Sequence, residues 1–130
     1  MATVKRFEDL EIWQEARRLS KEIIIISKTT QLKTDYKFKE QIKGSSGSVM
    51  DNIAEGFERD GNIEFRQFLS VAKGSSGETR SQVYLLFDND YINEEQQKLL
   101  VSDYEKLSIK IHNFITYLNK KDFKGTKFIK

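Results

Sequence analysis

The segment Lys43-Gly44-Ser45-Ser46-Gly47 recurs, residue for residue, as Lys73-Gly74-Ser75-Ser76-Gly77, 30 positions further on. Both copies lie inside stretches with helical apolar spacing, and midway between them Arg59-Asp60-Gly61-Asn62 is a turn signal. A reversal there brings residues whose numbers sum to about 121 level with each other. Gly44 then faces Gly77, Ser45 faces Ser76, and Gly47 faces Gly74. The pattern therefore predicts a helical hairpin.

Four segments carry helical periodicity. The first spans about Phe7 to Thr30, with Ile12, Ala16, Leu19, Ile23 and Ile26 on one side. The isoleucine run 23–26 also suits a strand, but the flanking periodicity and the length favour helix. Thr34-Asp35 supplies candidate N-caps for a second helix, Tyr36 to Glu58. Its seam is Phe38, Ile42, Ser45, Val49, Asn52 and Gly56, widened by Ile53 and Phe57. A third helix follows Asn62 as N-cap and runs to about Phe87. Phe65, Leu69, Ala72, Ser76, Thr79, Val83 and Leu86 form its seam. Asn93 with Gln96 has the spacing of a capping box. The fourth helix carries Leu100, Tyr104, Leu107, Ile111, Phe114 and Leu118, the clearest heptad in the chain. No proline interrupts any of them. Four long helices with short connections predict an all-α, up-down-up-down four-helix bundle. It is expected as one domain over residues 1–119, followed by a basic tail over 120–130.

Glycine within a helix costs roughly 1 kcal/mol against alanine, so four of them need a compensating role. The role expected is a close helix contact made by Gly44, Ser45, Gly47, Gly74, Ser76 and Gly77, with serine hydroxyls bonding back to carbonyls. A phosphate cradle is a second reading. Against it, the lysine precedes the glycines, no strand leads in, and mid-helix amides are already bonded. A third reading is a smooth external groove for a partner helix or strand.

Other residues point to a family. Phe7-Glu8-Asp9-Leu10-Glu11-Ile12-Trp13-Gln14 stands near the start, and Gln41-Ile42-Lys43 precedes Ser48-Val49-Met50-Asp51-Asn52-Ile53-Ala54-Glu55-Gly56. Downstream comes Glu64-Phe65-Arg66-Gln67-Phe68-Leu69-Ser70-Val71-Ala72-Lys73-Gly74-Ser75, then Glu78-Thr79. Over about residues 7–118 the chain resembles the four-helix bundle proteins of intervening sequences in bacterial 23S ribosomal RNA genes. That resemblance implies a left-handed bundle assembling into a ring, typically a homopentamer. It also implies RNA or DNA as a partner. Similar proteins serve as accessory variability determinants of diversity-generating retroelements, where basic ring surfaces bind nucleic acid and a reverse transcriptase. At Gly44 and Ser45 the chain departs from the family's usual basic residue and alanine, leaving helix two without that cation.

The charged residues narrow the chemistry further. The net charge is +2, but residues 119–130 carry five lysines against one aspartate, a net +4, leaving −2 for residues 1–118. Candidate nucleic-acid contacts are Arg17, Arg18 and Lys21 on helix one, Lys73 and Arg80 on helix three, and Lys120, Lys121, Lys124 and Lys127 in the tail, with Lys5 and Arg6 ahead of them. Phe123 and Phe128 among the tail lysines would add base stacking. The plain alternative is a solvated charged face. Asn52, Glu55, Arg66 and Glu78 match the family's recurring polar positions and are expected to form a structural polar cluster, with Glu55 level with Arg66. Read as catalysts, Glu55 and Glu78 would be paired carboxylates, but no nucleophile–base set accompanies them. A di-metal bundle needs Glu-x-x-His, and the residue three before the single histidine, His112, is Ile109. With no cysteine, disulfides and thiolate metal sites are excluded. No catalytic activity, cofactor or metal is expected. Lacking a signal-like apolar run, the chain is expected to be cytoplasmic, with no membrane association. The leading function expected is a ring-forming scaffold that binds RNA or DNA backbone without sequence specificity; the runner-up is a protein-interaction adaptor presenting a groove to a partner polypeptide.

Overall fold

A computed structural model describes residues 4–121. A short 3₁₀ turn, Phe7–Asp9, leads into α1 (Glu11–Thr29). A second, Gln31–Thr34, leads into α2 (Tyr36–Glu58), followed by α3 (Asn62–Asp88) and α4 (Glu94–Asn119). Adjacent helices pack as an all-α four-helix bundle in which α2 lies against α1 and α3, and α4 against α3 and α1. The helices α1 and α3 are thus diagonal.

The apolar spacing decides the core. Ile12, Ala16, Leu19, Ile23 and Ile26 of α1 are buried, as are all seven expected seam residues of α3. On α4, Leu100, Tyr104, Leu107, Ile111 and Leu118 are buried, and Phe114 packs half-buried against Phe65 with ring centroids 5.6 Å apart. The isoleucine run is helical throughout.

Of the expected caps, one forms as written. Asn93 accepts from the Gln96 amide, and the Gln96 side chain accepts from the Asn93 amide. Asp35 and Asn62 do otherwise. Asp35 caps with its backbone while its carboxylate accepts from the Tyr91 hydroxyl at 2.7 Å. That bond pushes the Tyr91 phenol above its usual value, because the neutral form donates to an anion. The N-cap of α3 is Gly61, at φ 94°, a left-handed conformation that glycine adopts without strain. Asn62 is instead the first helical residue, and its amide donates to the carbonyls of Leu118 and Lys121 at 2.9 and 2.7 Å. At Asp35 and Asn62 a long-range partner has taken the side chain that the local pattern assigned to a cap.

Serines of the paired Gly-Ser-Ser-Gly segments bond across to neighbouring helices, though not to each other. Ser45, Ser46 and Ser76 are buried. The Ser45 hydroxyl donates to Gln82 Oε1 at 2.5 Å and accepts from Thr79 at 2.9 Å. The Ser48 and Ser75 hydroxyls lie 2.9 Å apart, and Asn52 donates to Ser48. On the α4 side, Ser76 bonds Ser108 at 2.8 Å. The glycines are not in that contact. Gly44 and Gly74 are exposed and Gly47 and Gly77 half-buried, and a Cβ added to any of them would meet nothing within 4 Å. The expected close contact is therefore corrected. Of its members, Ser45 reaches across to α3, Ser76 bonds α4 instead, and Gly44, Gly47, Gly74 and Gly77 open outward. The physical reason is azimuth. Each residue turns ~100° from the last, so being level along the axis does not make two residues face each other. The close approach lies nearer the turn, at Gly56, where a Cβ would stand 2.6 Å from Phe68 Cβ and 2.9 Å from Phe65 Cδ1.

Candidate nucleic-acid interface

The cations named from sequence divide into those already neutralised and those left open. On α1, Arg18 is exposed but engaged. It meets Glu15 at 3.0 Å, Glu22 at 3.5 Å and Asp103 of α4 at 3.3 Å. The Glu15 hydrogen bond, with Asp103 adding to it, holds the guanidinium still more firmly in its charged form. Arg18 is a clasp between α1 and α4. A second clasp is Lys110 with Glu11 at 2.5 Å, which raises the lysine in the same sense.

Arg17 and Lys21 stand one helical turn apart on the exposed side of α1. Neither has a carboxylate partner among the described residues. The Arg17 guanidinium lies 5.7 Å from the centroid of the Trp13 ring, and Trp13 meets Phe7 edge-to-face at 5.2 Å. A free cation pair beside a half-buried aromatic couples phosphate attraction with a stacking surface.

On α3, Lys73 is exposed without an ion pair among the described residues. Arg80 pairs loosely with Glu105 of α4 at 3.4 Å. Lys73, Gly77 and Arg80 share a groove with Glu105, Ser108, Ile109 and His112. At the far end of α4, Lys120 and Lys121 are exposed, with the Lys121 ammonium 5.5 Å from the Tyr117 ring. Lys124 and Lys127, with the tail aromatics, lie outside the described residues.

The four residues expected to form a polar cluster are dispersed. Asn52 bonds Ser48 on its own helix. Glu55 pairs with Arg59 at 3.1 Å, not with Arg66. Arg66 bonds Asn62 Oδ1 at 3.1 Å and also donates to Asn119 of α4. Glu78 is exposed and unpartnered among the described residues. The hairpin register explains the correction: Ser48 bonds Ser75 and Thr79 bonds Ser45, so at these pairs the two helices are offset from the alignment that set Glu55 opposite Arg66. Glu55 and Glu78 do not form an acid–base pair.

Several residues take roles here that the sequence pattern did not assign to them. Asp103 and Glu11 decide which cations are neutralised, and Thr79, Gln82 and Ser108 complete the hydroxyl ladder. Tyr104 is fully buried at the centre of α4, and its hydroxyl has no hydrogen-bond partner among the described residues. Burial pushes its phenol well above the usual tyrosine value, with the nearby Glu22 charge acting in the same direction. Among the described residues no three His, Cys, Asp or Glu side chains gather as a metal set, and no helix is long and apolar enough to cross a membrane.

The model of the 23S rRNA-intervening sequence protein family matches residues 8–113. The chain belongs to this family. A solved structure shares the fold: a protein of unknown function from the S23 ribosomal protein family of Bacteroides thetaiotaomicron, with a TM-score of 0.73 and 20% identity. The alignment covers 81% of this chain and 95% of that one. No curated protein matches the chain.

Proposed function

We propose that this chain is a non-catalytic, ring-forming scaffold of the cytoplasm that binds RNA or DNA backbone without sequence readout. The observation that carries the proposal is the division of the α1 cations: Arg18 is consumed by Glu15, Glu22 and Asp103, whereas Arg17, over the Trp13 ring, and Lys21, one turn on, remain open. The family's association with ribosomal RNA genes supports the same partner class. The family resemblance supplies the pentamer, and five copies of a modest basic patch acting together bind far more tightly than one. Large apolar side chains left exposed on α3, Val71 at 54% and Leu85 at 49%, give such an assembly surface to cover.

The test is light scattering on the purified protein with and without a mixed RNA/DNA pool, followed by a salt titration. A shift in mass that weakens steeply with salt is expected. Absence of binding at low salt, or binding indifferent to salt, overturns the reading.

A second reading is favoured by the outward-facing Gly44, Gly47 and Gly74, whose bare backbone suits a partner polypeptide. It makes the chain an adaptor, with a reverse transcriptase as the partner type the resemblance suggests. Co-purification of a protein that survives nuclease treatment distinguishes it.

A further inference from the structure

Lys73, Gly77, Arg80 and Tyr84 succeed each other at spacings of four, three and four on α3, so they form one stripe along the helix. From α4, Glu105, Ser108, Ile109 and His112 face the first three across a groove of about 400 Å³. The Ser76–Ser108 hydrogen bond joins the two helices beside it. Lys73 and Arg80 lie ~10 Å apart along the helix axis. The residue between them on the stripe has no side chain.

That glycine is not required by the fold. A Cβ at Gly77 meets nothing within 4 Å, and glycine there costs about 1 kcal/mol of helix stability. What it does is keep the groove open between the two cations. Lys73 and His112 have no hydrogen-bond or ion-pair partner among the described residues. Arg80 meets Glu105 at 3.4 Å, with the two side chains 38% and 61% exposed. An exposed pair of this kind contributes about 0–1 kcal/mol, so a phosphate can displace it. Ile109, 54% exposed, and Tyr84, 48% exposed, place apolar and aromatic surface next to the charges.

We propose that the α3–α4 groove is a phosphodiester-binding subsite for single-stranded nucleic acid. Lys73 and Arg80 contact phosphate, and a His112 ring N–H donates a further hydrogen bond. Ile109 and Tyr84 receive sugar and base. A guanidinium and an ammonium suit phosphate oxygens, and cations interleaved with ring surface are what a strand with unstacked bases requires. Neither Arg17 nor Lys21 is among the residues that line the groove, so it is distinct from their patch on α1. The assignment rests on the nucleic-acid reading above, and the experiment separates the two.

A fluorescein-labelled single-stranded oligonucleotide of mixed sequence is titrated at low salt against the parent protein and four variants. Gly77→Leu fills the groove, and Lys73→Ala removes a phosphate contact. Glu105→Gln frees Arg80, and Gly74→Leu makes the same glycine replacement off the stripe. Lys73→Ala is expected to weaken binding about tenfold through loss of a charged hydrogen bond, and Gly77→Leu by a similar factor through blocking the groove. Lys73→Ala should also make the salt slope shallower by about one. Glu105→Gln should tighten binding and Gly74→Leu should match the parent. Circular dichroism melts check that every variant folds. Inorganic phosphate, titrated by NMR, should shift the Gly77 amide and the His112 ring.

If the parent binds and Gly77→Leu and Lys73→Ala bind equally well, the groove assignment falls while the scaffold reading stands. If the parent binds no oligonucleotide, both fall. If phosphate alone shifts Gly77 and His112 in that case, the groove is an anion site and nucleic acid is not its occupant.

Discussion

The two ends of the α2–α3 hairpin use glycine in opposite ways. Near the turn, Gly56 is buried against Phe65 and Phe68, and its missing side chain is what lets the helices touch. At mid-length, Gly44, Gly47, Gly74 and Gly77 face outward, and hydroxyls hold the helices together. One end joins by removing atoms, the other by pairing polar ones. Glycine within a helix therefore reports close packing only when it lies on the apolar seam. Gly56 follows Val49 by seven residues, on the same seam. Gly44 is one residue off Ser45 and so falls outside it.

The largest expected effect tests the tight end. Gly56→Val should destabilise by about 1–3 kcal/mol through overpacking against the two phenylalanines, read as a lower urea midpoint. A midpoint equal to the parent's would remove the distinction between the two ends. Where the same segment of α3 meets α4, Ser76→Val should cost about 1–2 kcal/mol by leaving Ser108 without its buried partner. A double-mutant cycle with Ser108→Val should show coupling, and additivity would mean that the hydroxyl pair does not bind the helices.

Tyr104→Phe probes the same level of the bundle from α4. It removes a buried hydroxyl with no partner, so stability at pH 7 should hold or rise by about 1 kcal/mol. The pH dependence has a definite sign. The folded phenol stays protonated above the usual tyrosine value of ~10, while the unfolded one ionises there. The unfolded state then binds fewer protons, so parent stability should fall as pH rises past ~10. Tyr104→Phe should lose this part of the alkaline decline. An unchanged alkaline slope would mean that Tyr104 is not the group responsible.

The smallest effects belong to the outward glycines. Gly44→Ala, Gly47→Ala and Gly74→Ala should each raise stability by about 0.5–1 kcal/mol, read from thermal melts. A loss at any of them would mean that its face is covered in the assembled protein.

Much of the fold was legible in the sequence because seam periodicity is a local property. The α2 bounds, the α4 capping box and every buried position of α3 follow from spacing alone. The site was less legible because a side chain's partner is a tertiary fact. Asn62 looks like a cap until Leu118 and Lys121 present their carbonyls. Arg17 and Arg18 look equivalent until Asp103 arrives from α4. Glu55 and Arg66 were placed level by a count along the axis, but a small offset between α2 and α3 gave each a different partner. The family resemblance supplied what spacing could not, namely which bundle this is.

The joint of Arg59, Asp60 and Gly61 has a kinetic consequence. So short a reversal closes α2 on α3 at little cost in loop entropy, and α4 follows through a joint of similar length. Contact between α1 and α4 instead spans nearly the whole described chain. Loop entropy therefore predicts assembly from the middle outward, with the two clasps, Arg18–Asp103 and Glu11–Lys110, closing last. Contacts that form after the barrier govern how long the folded state persists rather than how fast it is reached. Loss of either ion pair is then expected to show in the unfolding rate rather than in the folding rate.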